Sequence, residues 1–221
     1  MAVIRKKIMG PPGTGKTHRL VHHYLNEEIN NLHTDPQRIA YVTFTKAAAL
    51  DGSKKVQDVF PGVELLYIST LHAMGTRELG ISKKQVLTDT KWIQFKNVYP
   101  IYSDINFDSY VNEHGITINQ DRNLQVINFS RAKLISLEQA CIDLKYHEGA
   151  VDIFRVKQLE RDIEYYKGQT NMYEFSDMIK LFVDEEKHLT LDAIFLDEAQ
   201  DLNPSQWRMF FYIEALCKRS Y

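Results

Sequence analysis

The sequence predicts an α/β fold: a parallel sheet flanked by helices, carrying a mainly helical insertion. Three observations predict it. Short apolar runs alternate with segments of helical spacing, as parallel strands joined by crossover helices require. One of those runs, Arg38 to Phe44 (RIAYVTF), is almost continuously apolar, the pattern of a strand covered on both faces. From about residue 80 to residue 172 the alternation stops and mostly helical spacing remains.

In chain order, residues 3–9 (VIRKKIM) read as a short strand running into Gly10-Pro11-Pro12-Gly13. Residues 16–31 read as a helix, with Leu20, Val21, Tyr24, Leu25 and Ile29 near helical spacing. Asp35-Pro36 turns the chain into the strand at 38–44, and Lys46-Ala47-Ala48-Ala49-Leu50 opens a helix rich in the best helix former. Phe60-Pro61-Gly62 breaks that helix before a third strand, Glu64 to Ile68. In the insertion, Trp92, Phe95, Leu124, Ile127, Leu137, Cys141 and Leu144 suggest helices, and Val156, Leu159, Ile163 and Tyr166 form a clearer stripe. Leu191 to Leu196 gives a fourth strand. Asn203-Pro204-Ser205-Gln206 then starts a helix: Asn203 caps, Pro204 suits the first turn, and Gln206 completes a capping box. The expected division is a sheet domain of residues 1–79 and 173–221, with residues 80–172 inserted.

Composition limits the function classes. At 221 residues, 44% apolar and 25% charged, the chain supports a core plus an insertion, and it excludes disorder, collagen and a disulfide scaffold. No apolar run approaches the roughly 18 residues of a membrane span. The opening segment meets Gly10 before a secretory apolar region could form. A soluble, cytoplasmic chain with no membrane partner is expected. Cys141 and Cys217 stand far apart and read as buried or free thiols in a reducing compartment. The net charge of −2 supplies no global basic field, so any nucleic-acid contact must be local. Lys6-Lys7, Lys54-Lys55 and Lys83-Lys84 read as solvated faces, and the histidines, including His22-His23, show no metal spacing.

The strongest chemical signal is Gly10-Pro11-Pro12-Gly13-Thr14-Gly15-Lys16-Thr17, a complete G-x-x-x-x-G-K-[ST] between a strand and a helix. Its glycines let backbone N–H groups curl around phosphate oxygens, and the helix N-terminus adds partial positive charge. Lys16 is expected to neutralise the β- and γ-phosphates, and the Thr17 hydroxyl to ligate Mg²⁺. Asp197-Glu198, at the end of the Leu191–Leu196 run, supplies the carboxylates such a loop needs. Asp197 would hold Mg²⁺, directly or through water, and Glu198 would take the proton of the attacking water.

Lys16 and Asp197 are 181 residues apart, and three further pieces stand between them: Thr43-Phe44-Thr45-Lys46-Ala47-Ala48-Ala49, Ser69-Thr70-Leu71-His72-Ala73 and Tyr173-Glu174-Phe175-Ser176-Asp177-Met178-Ile179. With Asp197-Glu198-Ala199-Gln200-Asp201 closing the series, the chain resembles the N-terminal ATP-binding lobe of the superfamily 1 UvrD/Rep-like DNA helicases. The resemblance covers essentially the whole chain. It implies a RecA-like P-loop NTPase fold, ATP and Mg²⁺ as cofactors, and ATP-driven movement along single-stranded DNA, typically 3′ to 5′. It implies that Gln200 senses the γ-phosphate. It also implies that Thr43, Phe44, Thr45, Lys46, Thr70 and His72 line the strand path, where rings meet bases and hydroxyls meet phosphates. No chemical role for Asp177 follows from its residue type.

Three features depart from the family pattern. Lys46 stands where the family usually has Asn, a change that suits phosphate. The sequence starts nine residues before Gly10, without the upstream glutamine segment that reads adenine. It stops 20 residues past Asp201, before the next motif and the second RecA-like lobe, whose arginines stabilise the transferred phosphoryl. The expectation is a motor lobe that binds Mg-nucleotide, turns over poorly and does not unwind duplex alone, and that works with a second lobe in cis or on a partner chain. Two other readings stand beside it. One is another P-loop ATPase of the AAA+ or clamp-loader type, against which the long spacing and the T-x-H segment speak. The other is a nucleotide-binding regulatory module, disfavoured because Lys16, Asp197 and Glu198 are all present.

Overall fold

The computed structural model describes residues 3–11, 13–111, 117–147 and 149–221. In chain order its strands are β1 (Ile4–Arg5), β2 (Ile39–Thr43), β3 (Tyr67–Thr70), β4 (Ser109–Val111), β5 (Thr117–Asn119), β6 (Ala193–Leu196) and β7 (Arg219–Ser220). The helices are α1 (Lys16–Arg19), α2 (Lys46–Val59), α3 (Leu71–Glu78), α4 (Asp89–Val98), α5 (Arg122–Lys133), α6 (Leu137–Asp143), α7 (Ile153–Thr170), α8 (Phe175–Asp184) and α9 (Pro204–Leu216). Helical winding continues past α1 in the wider i→i+5 pattern over Leu20–Leu25 and Glu27–Asn31.

Five strands form one parallel sheet in the order β1-β7-β6-β2-β3, as a RecA-like α/β fold requires. Alternation along β2 sends its side chains to opposite faces. Ile39 and Tyr41 join Phe195, Leu20, Val21, Leu25 and Val56 under the α1 segment and α2. Ala40 and Val42 join Ile194, Leu196, Met74, Ile179, Phe182 and Met209 under α3, α8 and α9. A third cluster, including Phe95, Ile105, Ile127, Val156, Leu159 and Ile163, lies wholly between Leu87 and Tyr166. Among the described residues, no helix is long and apolar enough to cross a membrane.

Several bounds differ from expectation, each for a reason of pairing. The strand expected over 3–9 pairs at Ile4 and Arg5, because its neighbour β7 offers two residues. The third strand begins at Tyr67 rather than Glu64, since β2 meets it in register from Ala40↔Tyr67 onward. The fourth begins at Ala193, opposite Ile39. β7 was not expected at all: Arg219-Ser220 has no apolar run, and it becomes a strand because β1 and β6 both present backbone partners to it. The mainly helical stretch also contains the antiparallel pair β4–β5, whose sequences SYV and TIN carry β-branched and aromatic residues.

Candidate active site

The Gly10–Thr17 loop links β1 to α1. Gly13 and Gly15 take left-handed backbone angles, φ 77° and 78°, which L side chains adopt at a cost. Gly10 is fixed by space: a Cβ there would lie 2.6 Å from Thr14 Oγ1. The Thr14 hydroxyl donates to the Pro11 carbonyl at 2.8 Å, drawing the loop into a curl. Lys16 arches back over that curl, and its ammonium donates to the carbonyls of Gly10 (2.9 Å) and Pro11 (3.1 Å). Gly15 is the N-cap of α1 and supplies no side-chain acceptor, so the first helical N–H groups are left for an anion. Pro12 lies outside the described residues.

Thr17, one residue into the helix, reaches the other half of the site. Its Oγ1 donates to Asp197 Oδ2 at 2.9 Å, joining groups 180 residues apart. Asp197 directly follows β6 and is 6% exposed. Its Oδ1 accepts the Glu198 backbone N–H at 3.1 Å, and its Oδ2 accepts a second hydroxyl, that of Tyr41, at 2.7 Å. A carboxylate beside an alcohol, backed by donors on both oxygens, is the hard oxygen set that Mg²⁺ prefers. The residues present fit the cation.

Glu198 sits at φ 55°, a left-handed conformation costly for a residue with a Cβ. Strain of this kind persists where the surroundings fix it; here Asp201 N–H bonds back to the Glu198 carbonyl at 3.0 Å. The turn brings the exposed Gln200 amide onto Glu198 Oε2 at 2.5 Å. The residues expected as metal ligand, base and sensor, Asp197, Glu198 and Gln200, are therefore neighbours.

Tyr41 is the residue that sequence reasoning missed. Burial first, and the Asp197 charge second, push its phenol well above the usual range, so it remains a donor across physiological pH. A signal was present: Gly52 sits within α2, where glycine costs about 1 kcal/mol relative to alanine. A Cβ at Gly52 would lie 2.8 Å from the Tyr41 ring.

The residues expected on a DNA path gather at the same edge of the sheet. β2 and β3 run in register from Ala40↔Tyr67 to Thr43↔Thr70, which sets the two motifs side by side at the carboxyl ends of the strands. Their hydroxyls are used locally. Thr43 is 1% exposed and donates to the Thr45 carbonyl, so it is not offered at the surface. Thr45 and Thr70 cap α2 and α3, accepting from Ala48 N–H (3.0 Å) and Ala73 N–H (3.2 Å). Lys46 is exposed, while Phe44 is half-buried against the core under α3 and α8. His72 is half-buried, edge-on to Phe175 at 6.2 Å, and burial pushes its imidazole down to about 4. It is neutral at physiological pH.

His72 and Phe175 line a cavity of about 810 Å³ that also touches Asn128 on α5, Gly168 on α7, Lys180 on α8 and Arg208 on α9. An ion network crosses its wall and gives Asp177 a place. Lys167, on α7, donates to Asp177 (2.8 and 2.9 Å), Glu174 (3.0 Å) and Glu164 (2.8 Å). Arg131, on α5, pairs with Glu174 at 2.6 Å and Glu164 at 2.5 Å. Burial raises the Glu174 carboxyl, but Arg131 and Lys167 outweigh it and hold it below its usual range; burial pushes Asp177 up. The network joins α5 and α7 to the start of α8.

Sheet order and crossover helices place the chain in the RecA-like class of α/β domains. The family model of the UvrD/REP helicase N-terminal domain matches residues 5–218, and the chain belongs to that family. It is also 23% identical, over 239 aligned residues, to the ATP-dependent DNA helicase PcrA of Leuconostoc citreum, an alignment that covers 96% of this chain. The chain spans 29% of the length of that relative.

Proposed function

We propose that this UvrD-like domain is an ATP-binding motor lobe that couples Mg-ATP hydrolysis to movement along single-stranded DNA. The observation that carries the reading is the 2.9 Å bond from Thr17 to Asp197, which joins the glycine loop to the acidic strand end. In this reading the loop from Gly10 to Thr17, Pro12 included, wraps the triphosphate. Lys16 leaves its loop carbonyls for the β- and γ-phosphates, a stronger partner for an ammonium than a neutral oxygen. Thr17 and Asp197 hold Mg²⁺, which supplies charge neutralisation on the phosphates. Glu198 takes the proton of the attacking water. Gln200, bonded to Glu198, is the link through which the phosphate state reaches the neighbouring DNA-facing edge.

On that edge Lys46 provides charge, Thr45 a hydroxyl, and Phe44 and the neutral His72 provide faces for bases. Thr43 and Thr70 hold the edge in shape. We assign residues 1–79 and 173–221 to the motor core and residues 80–172 to an inserted unit with its own apolar cluster. A second RecA-like lobe, in cis or on a partner chain, supplies the arginines that complete phosphoryl transfer.

The test is ATP turnover by this domain joined to a second RecA-like lobe, measured with and without an oligodeoxythymidine strand. Stimulation is expected, and Lys46→Ala should raise the DNA concentration needed for half-stimulation about threefold to tenfold, most strongly at low salt. Turnover indifferent to DNA would remove the motor reading.

A further inference from the structure

Asp197 accepts two hydroxyls on one oxygen, and only one belongs to the loop. The other, Tyr41, comes from the middle of β2, a strand whose five residues are all buried. Its ring has little freedom. Phe195, its neighbour on β6, lies nearly parallel to it at 6.4 Å, and the bare backbone of Gly52 on α2 closes it from above that face, with room for no Cβ. The hydroxyl therefore points in one direction, and that direction ends on Asp197 Oδ2 at 2.7 Å.

We propose that Tyr41 is a positioning residue for the metal-side pair, fixing Asp197 and, through it, the Thr17 hydroxyl. This rests on the Mg-nucleotide reading above and names the group that prepares the site for the cation. A hydroxyl has one proton and two lone pairs. Because Asp197 takes the Thr17 proton at 2.9 Å, the Thr17 lone pairs are left facing away from the carboxylate, available to a cation. That arrangement holds only while Asp197 keeps its rotamer. Glu198 N–H holds one carboxylate oxygen and Tyr41 anchors the other. Metal ligands are commonly fixed in this way by groups that never touch the metal, and losing such a group costs about 10- to 100-fold in metal affinity.

A packing role alone makes a different prediction. Tyr41→Phe keeps the ring, its contact with Gly52 and its stack on Phe195, and removes only the donor. The experiment is equilibrium binding of a fluorescent ATP analogue to wild type and Tyr41→Phe, in EDTA and across a Mg²⁺ titration. Nucleotide affinity in EDTA should agree within about twofold, while the Mg²⁺ concentration for half-maximal enhancement should rise about tenfold in the variant. Gly52→Ala, which keeps the hydroxyl but presses a methyl group on the ring, should shift the Mg²⁺ requirement in the same direction, and it decides the matter if Tyr41→Phe does not fold. Equal Mg²⁺ requirements in a responsive wild type and its variants overturn the proposal alone. A wild type that binds nucleotide without regard to Mg²⁺ overturns the underlying reading, and the proposal with it.

Discussion

Removing the Lys167 ammonium tests how α7 is tied to α8. In Lys167→Met the apolar stem is retained and the charge is lost. Lys167 is 5% exposed and serves Asp177 and Glu174, whose side chains are 14% and 16% exposed. Deleting one partner of a buried pair typically costs about 3–5 kcal/mol, because the other charge stays buried. Glu174 keeps Arg131 at 2.6 Å, and Glu164 is 52% exposed, which places the loss at the low end, about 3 kcal/mol. For a domain of this size that corresponds to about 6–12 °C in Tm. Asp177→Asn in the same chain removes the stranded charge while keeping an acceptor for Glu174 N–H, and should restore about half of the loss. Thermal denaturation by circular dichroism at pH 7, in low and moderate salt, reads both. A single-variant shift under about 2 °C, or a double variant less stable than Lys167→Met, would refute the reasoning.

Glu28 is fully buried and accepts from Arg219, Thr34 and Tyr221, binding the last strand to the Glu27–Asn31 helical segment. Burial opposes its charge, but Arg219, Thr34 and Tyr221 together hold its carboxyl below its usual value of 4.5. Its contribution is therefore present above about pH 4.5 and lost as pH falls through the folded value; Glu28→Gln should lower Tm at pH 7 and flatten that acid limb. His72 carries the related sign for a base. The unfolded imidazole gains its proton near 6.5 and the folded one only near 4, so stability should decline as pH falls across that window. His72→Asn should remove that part of the slope in pH-dependent denaturation.

The glycine loop was legible because the left-handed backbone at Gly13 and Gly15 calls for glycine, and Asp197 because it directly follows a buried apolar strand. Asn203 was legible for a local reason: the capping box forms, with Gln206 N–H on Asn203 Oδ1 at 3.0 Å and Asn203 N–H on Gln206 Oε1 at 2.9 Å. β7 was not, because Arg219-Ser220 is a strand only through neighbours nearly the whole chain away. The Thr43, Thr45 and Thr70 hydroxyls were read only as DNA contacts, and short-range geometry engages them in local bonds instead. Tyr41 read as one more apolar strand residue, since its partner lies 156 positions away. Asp177 acquired a place only once Lys167 folded against it.

The most direct test of the account is nucleotide affinity at saturating Mg²⁺, compared among wild type, Lys16→Ala and Asp197→Asn by isothermal titration calorimetry. The account predicts tight binding by wild type and a loss of at least tenfold in Lys16→Ala, with the Mg²⁺-dependent part of the affinity missing from Asp197→Asn. Unchanged affinity in Lys16→Ala would contradict it.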